Sequence, residues 1–171
     1  MTILTVLRHA KSSWDQHGLD DFDRPLNERG RKAAKRVGRE LKQRNIRFDQ
    51  VIASPAVRVR ETLDELAKGY DKHLNVHFDE RIYGAAVETL LDVVQGIPDE
   101  VHAPLLVGHN PGLQELLLKL AHEDDAGLRR KLAAKYPTAA VAVVTLAAPR
   151  WEEVAPDSGE IRELILPREL D

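Results

Sequence analysis

The chain has 171 residues, 43% of them apolar and 31% charged, with a formal net charge of −3 and no cysteine. That length suits one domain, residues 1–171, able to bury a substantial core. The near balance of charge gives no global case for nucleic acid or an anionic membrane, the lack of cysteine excludes disulfides and thiol catalysis, and no apolar run approaches the ~18 residues of a membrane span. The N-terminus shows no signal-peptide pattern, so a cytoplasmic protein is the simplest reading.

The first element is an apolar run, Ile3 to Leu7, that stops at Arg8 and His9. A short apolar run with a sharp polar end reads as a buried strand, and strands buried on both faces belong to parallel sheets. Residues 10 to 26 are polar and aperiodic, and read as a long loop. Asn27 can cap a helix from about Glu28 to Arg44, with Ala33, Ala34, Val37 and Leu41 as its apolar stripe. Its Arg29, Arg31, Lys32, Lys35, Arg36 and Arg39 are expected to be a solvated face, the alternative being a docking patch for an acidic partner. Gln50 to Ala53 is a second strand. Ser54-Pro55 then reads as a cap and first-turn proline. That helix should run to about Lys68, with Val59, Leu63, Leu66 and Ala67 inward and Gly69 ending it.

Leu74 to Phe78 is a third strand, and Val87, Leu90, Leu91 and Val94 mark a helix. Pro104 to Val107 is a fourth strand, ending in Gly108-His109-Asn110-Pro111-Gly112. Asn110-Pro111 repeats the cap-and-proline pattern, ahead of a helix carried by Leu113, Leu116, Leu117 and Leu120. A short helix over 128–136 follows. Strands over 139–146 and 161–166, joined by a hairpin-like connection, complete the chain. Alternating strands and helices predict a three-layer α/β/α sandwich with a mostly parallel sheet.

In such a sheet ligands bind outside the carboxyl ends of strands. Those ends deliver Arg8 and His9, then Ser54 to Arg58, then Gly108 to Asn110. Two arginines and two histidines would gather there beside helix N-termini. Arginine forks match phosphate oxygens bidentately, and helix N-termini add partial positive charge and free N–H groups. A doubly charged phosphate suits this cluster better than a carboxylate. The sequence has neither a nucleotide loop ending in Lys-Ser/Thr nor a Gly-x-Ser-x-Gly elbow, and these motifs offer few carboxylates for a metal. His9 can act as a covalent nucleophile if neutral, and like-charge repulsion from Arg8 and Arg58 favours that form. His109 would donate to phosphoryl oxygens.

Four ordered motifs carry a resemblance: Leu7-Arg8-His9-Ala10-Lys11, Asp23-Arg24-Pro25-Leu26-Asn27-Glu28-Arg29-Gly30, Ser54-Pro55-Ala56-Val57-Arg58 with Glu61-Thr62, and Val107-Gly108-His109-Asn110-Pro111-Gly112. The sequence resembles the histidine phosphatase superfamily, and within it the small SixA-like phosphohistidine phosphatases. The resemblance implies a fold of the phosphoglycerate mutase type. It implies phosphoryl transfer to His9 followed by hydrolysis of the phosphohistidine, with Arg8, Arg58 and His109 as the phosphate pocket. It extends phosphate contacts to Ser12 and Asn110, and requires no cofactor or metal.

The sequence departs from the mutase and acid phosphatase members in one respect. The segment Asp79 to Gly84 shows no clean match to their acidic proton donor, and Asn110 stands where acid phosphatases carry Asp. An alkoxide leaving group needs a proton in the transition state, a contribution of ~10²–10⁴-fold. A phosphoramidate leaves more easily, because its nitrogen is readily protonated beforehand. The departure favours phosphohistidine in a partner protein, such as a histidine phosphocarrier or kinase domain. The alternatives are a phosphatase or mutase for a small phosphorylated metabolite, with Glu80 as candidate donor, and a non-catalytic phosphoprotein-binding module. Lys11 is expected to attract substrate as a point charge. Trp14 is expected to pack against the domain, the alternative being that it covers the site, and Trp151 is expected to be structural. His73 and His77 share a face only if their segment is a strand, and lack a third metal ligand. His17, His102 and His122 are expected to be solvated.

Overall fold

The computed structural model describes residues 2–124 and 126–170. Six strands form one mixed sheet in the order β3-β2-β4-β1-β5-β6. They are β1 (Thr2–Arg8), β2 (Gln50–Ala53), β3 (Val76–Phe78), β4 (Pro104–Gly108), β5 (Val141–Leu146) and β6 (Gly159–Ile165). The first four run parallel, and β5 and β6 are antiparallel to their neighbours. Among the described residues, five helices cover the sheet: α1 (Glu28–Gln43), α2 (Val57–Tyr70), α3 (Val87–Gln95), α4 (Gly112–Leu120) and α5 (Leu128–Ala134). None of the helices described is long and apolar enough to cross a membrane.

The period-two alternation of the strands divides the core into two layers. Leu4 and Val6 of β1, Leu106 of β4 and Val144 of β5 face α3, α4 and α5, where they meet Leu90, Val94, Leu113 and Leu117. Leu7, Leu105, Val107 and Val143 face the other way, toward Val37 and Leu41 of α1 and Val59 and Leu66 of α2. Helices α1 and α2 approach very closely. A Cβ at Gly38 would overlap the Leu66 carbonyl, and one at Gly69 the Lys35 carbonyl.

Gly69 therefore does not end α2, as its sequence position suggested. It is a packing residue inside the helix, which closes at Asp71 in a left-handed conformation. The start of α2 also differs. Its N-cap is Ala56 rather than Ser54, because the Ser54 hydroxyl accepts from the Ala56 N–H at 3.3 Å and bonds His109. Likewise α4 begins at Gly112, beyond a cis Asn110–Pro111 bond. Asn27 caps α1 as expected, accepting from the Gly30 N–H at 2.8 Å. The long loop contains a 3-10 turn, Asp21–Asp23. His73 precedes β3 and shares no strand face with His77.

Candidate active site

The carboxyl ends of β1, β2 and β4 meet at one edge of the sheet. The His9 N–H donates to the Gly108 carbonyl at 3.1 Å, and the Ser54 N–H to that of Val107 at 3.1 Å. The three segments that carry Arg8-His9, Ser54-Arg58 and His109 are thereby locked side by side. A cleft of about 370 Å³ opens there, lined by Arg8, His9, Lys11, Ser12, Trp14, Arg24, Arg58 and Thr138.

His9 is 7% exposed. Its Nδ1 lies 2.7 Å from the Ala10 carbonyl, which can only accept. Nδ1 therefore carries the proton, and Nε2 keeps its lone pair. The Ala10 peptide is itself anchored, since its N–H donates to the Thr62 hydroxyl at 2.9 Å and that hydroxyl donates to the Arg58 carbonyl at 2.6 Å. Burial, first, and then the nearby His109, Arg58 and Arg8 push the His9 imidazole down to about 3. Like-charge repulsion, the cause expected from sequence, is thus secondary to desolvation.

The His109 ring centroid lies 5.2 Å from that of His9. One of its nitrogens, Nε2, is 2.8 Å from the fully buried Ser54 hydroxyl. The other, Nδ1, is buried without a partner among the described residues. Burial and Arg58 push this imidazole down to about 4. Both histidines are neutral at pH 7.

The arginines are held as firmly. Arg8 Nη1 donates to the Tyr136 carbonyl at 3.1 Å, and burial lowers its pKa. Arg58 is 6% exposed and leans from the first turn of α2 to Asp21, donating to its carbonyl at 2.7 Å and its Oδ2 at 3.0 Å. The same carboxylate accepts from Tyr83 Oη at 2.7 Å and from Arg24 Nη1 at 2.8 Å. The Tyr83 hydrogen bond, then those of Arg24 and Arg58, hold the Asp21 carboxyl well below the usual range. Asp21 therefore stays ionised.

Of the residues singled out in the sequence, Arg8, His9, Lys11, Ser12 and Arg58 line the cleft, with His109 against His9. Ser12 accepts from Arg24 Nη2. Asn110 is at the strand end, but its amide is spent on the Tyr136 carbonyl at 2.9 Å and on Gln114. That makes it a brace for the Arg8 anchor and leaves its phosphate contact unsupported. Glu80 is exposed and outside the cleft lining. Its 3-10 turn buries Ile82 in the core and turns Tyr83, not Glu80, toward His109, with ring centroids 5.4 Å apart. Trp14 does not pack against the domain and instead follows the alternative reading, at the site. It is 74% exposed at the cleft rim, with the Arg24 guanidinium 3.3 Å from its ring centroid. Trp151 is buried, donating to the Val101 carbonyl at 2.7 Å.

Four residues of the site escaped sequence reasoning: Asp21, Arg24, Tyr83 and Ser54 in its bond to His109. Arg24 stood inside a motif, which was a usable signal. Asp21 and Tyr83 gave none, because their roles depend on a loop meeting a turn 62 residues away.

An α/β sandwich with an Arg-His pair at its central strand end and a second histidine on the neighbouring strand defines a phosphoglycerate mutase-like fold. Residues 4–149 match the family model of the histidine phosphatase superfamily (branch 1), and the chain belongs to that superfamily. An uncharacterized protein of Mycobacterium tuberculosis is 34% identical over 164 residues, covering 95% of this chain and 100% of that one. Two solved structures provisionally described as phosphohistidine phosphatase SixA are close in fold. The one from Agrobacterium tumefaciens has a TM-score of 0.80 at 29% identity, covering 97% of this chain and 99% of that one. The one from Nakamurella multipartitia has a TM-score of 0.82 at 25% identity, covering 97% and 96%.

Proposed function

We propose that residues 1–171 form one histidine phosphatase domain that removes phosphate from phosphohistidine in a partner protein, through a phosphohistidine on His9. The observation that carries this reading is the state of His9: buried, neutral, with its Nδ1 proton committed to Ala10 and Nε2 available. In the first step Nε2 attacks phosphorus. The new N–P bond forms as the bond to the partner's imidazole breaks, and that imidazole leaves carrying its proton. Arg8 and Arg58, which line the cleft, and His109, whose ring lies against His9, are the proposed donors to the transferring oxygens, where preorganised donors act most strongly. In the second step water attacks the phosphohistidine, the N–P bond breaks, and inorganic phosphate leaves as His9 is regenerated.

The substrate class rests on the leaving group. The carboxylate bound to Arg58 of the cradle, Asp21, is ionised by its three donors and has no proton to give. Tyr83 has its pKa raised, first by its hydrogen bond to Asp21, and holds its proton. An alkoxide would leave unassisted in this environment, whereas a protonated phosphoramidate nitrogen needs no donor. The description of the two SixA structures as phosphohistidine phosphatases accords with that preference.

The test is chemical trapping. The enzyme is quenched during turnover of a labelled phosphohistidine peptide and digested. The expected result is an acid-labile, base-stable label on the peptide containing His9, absent in His9→Ala. Turnover that persists in His9→Ala would overturn the reading. Strong turnover of an alkyl phosphate, with none of phosphohistidine, would overturn the substrate class alone.

A further inference from the structure

A second cavity, of about 380 Å³, adjoins the cleft and shares Lys11 and Thr138 with it. Its walls carry six cations, Lys11, Arg29, Lys32, Arg36, Lys135 and Arg168, and among the described lining residues no carboxylate. Only Lys32 of the six has a carboxylate partner among the described residues, Glu28 at 3.8 Å. Arg29, Lys32 and Arg36 fall on one face of α1, by their spacing of three and four residues. Lys135 and Arg168 come from the chain after α5 and after β6, so separate segments converge on one hollow. A chain with net charge −3 does not gather such a group by composition.

The seam between cleft and groove is built with care. The Asn27 N–H donates to the Lys11 carbonyl at 3.0 Å. A side chain at Gly30 would overlap that carbonyl, so only glycine lets the Lys11 loop lie on the start of α1. Lys11 is thereby fixed where one cavity passes into the other. An anionic chain with its phosphoryl group in the cleft would continue past Lys11 into the groove.

We infer that this groove docks an acidic stretch of polypeptide flanking the phosphorylated residue of the substrate protein. The inference rests on the reading of the site as a protein phosphohistidine phosphatase. Small-molecule sites are mostly apolar and enclosing. The groove shares the apolar floor of such sites, with Ala33, Pro137 and Pro167 and the stems of its long side chains, but it does not enclose: Lys11, Arg29, Lys32, Lys135 and Arg168 are exposed around it. Exposed cations of that kind suit the carboxylates of a protein surface, which steer and register a partner.

The experiment compares two phosphohistidine peptides of equal length, one flanked by Asp and Glu and the other by Ser and Gln. Wild type and Arg36→Glu/Lys135→Glu are assayed, with an aryl phosphate as control. Wild type is expected to favour the acidic peptide in kcat/KM by about tenfold at low salt, the scale of a few exposed ion pairs. The preference should shrink in high salt. The double variant should lose it while matching wild type on the neutral peptide and the aryl phosphate. Equal kcat/KM for the two peptides in wild type, or an unchanged preference in the variant, overturns the proposal. If neither peptide is turned over while the aryl phosphate is, the phosphohistidine reading falls. The groove is then judged by fluorescence anisotropy of the unphosphorylated acidic peptide. Binding lost in the double variant upholds it. No wild-type binding, or binding of inorganic tripolyphosphate in its place, overturns it.

Discussion

The cleft and the groove beside it are both lined by cations, yet they hold them in opposite ways. In the cleft Arg8 and Arg58 are tied to the Tyr136 carbonyl and to Asp21, and Arg58 is 6% exposed. In the groove Arg29, Lys135 and Arg168 project into solvent without a carboxylate partner among the described residues. Burying charge is costly unless it is compensated. The cleft meets that cost with fixed partners, which hold its guanidinium groups in place at the strand ends. The groove carries no such cost, and its charges are screened within about 8 Å at physiological salt. Buried cations should therefore act on the chemical step, exposed ones on encounter.

The largest effect that would break this contrast is at Arg58. Arg58→Ala is expected to lower kcat by roughly 10²–10³-fold, the usual scale for one preorganised charge-stabilising donor. Steady-state kinetics on a phosphohistidine peptide measures it. A change under about threefold would mean that the buried guanidinium is structural.

Asp21 sharpens the same contrast, because its carboxylate occupies Arg58 where a phosphoryl group would bind. Asp21→Asn keeps the shape and removes the negative charge. Orthophosphate is expected to bind roughly tenfold more tightly, the scale of one like charge removed at close range in a partly exposed site. Weaker binding, read by calorimetry, would make Asp21 a positioner of Arg58 instead of its competitor.

The next effect concerns stability. The buried imidazoles of His9 and His109 are pushed down to about 3 and about 4 from an ordinary 6.5. Between pH 6.5 and 4 the unfolded chain binds protons that the folded chain refuses, so stability must fall as pH falls. Asp21 has its carboxyl lowered from 3.8, so its contribution is lost only below that window. Urea unfolding at pH 7 and pH 4.5 should show a smaller loss in His9→Gln than in wild type. An equal loss would place the acid sensitivity elsewhere.

Much of this was legible from residue order. Apolar runs ending in Arg8-His9 and Gly108-His109 marked two strand ends on one edge of a parallel sheet; that the two strands are neighbours, with Arg8 in register with Gly108, is seen only in the structure. Alternation could not show that Ser54 serves His109 before it serves a helix, since a cap and a ring partner look alike in one dimension. Gly69 was misread for a similar reason. A glycine stops a helix or admits a neighbour, and only the position of Lys35 decides which. Glu80 was the candidate donor of the alternative reading only, singled out because charge is visible in a sequence. The turn that hides Ile82 and presents Tyr83 is not.

The smallest expected effect lies behind the nucleophile, at Thr62. Its hydroxyl is fully buried, accepts from the Ala10 N–H and donates to the Arg58 carbonyl, so one side chain ties the peptide that orients His9 to the helix that carries Arg58. Thr62→Val preserves shape and removes that link, leaving the Ala10 N–H buried without an acceptor. The cost in unfolding free energy should be about 1–3 kcal/mol. If the link also holds His9 in aim, kcat should fall several-fold with KM nearly unchanged, a split that a purely structural residue would not produce. Thr62→Ser, which restores the hydroxyl, should recover kcat more fully than stability, because the lost methyl still leaves a gap in the core. Loss of stability in Thr62→Val with kcat intact would show that the Ala10 carbonyl keeps its place without help, and that the rigidity of the cleft begins at the strand rather than behind it.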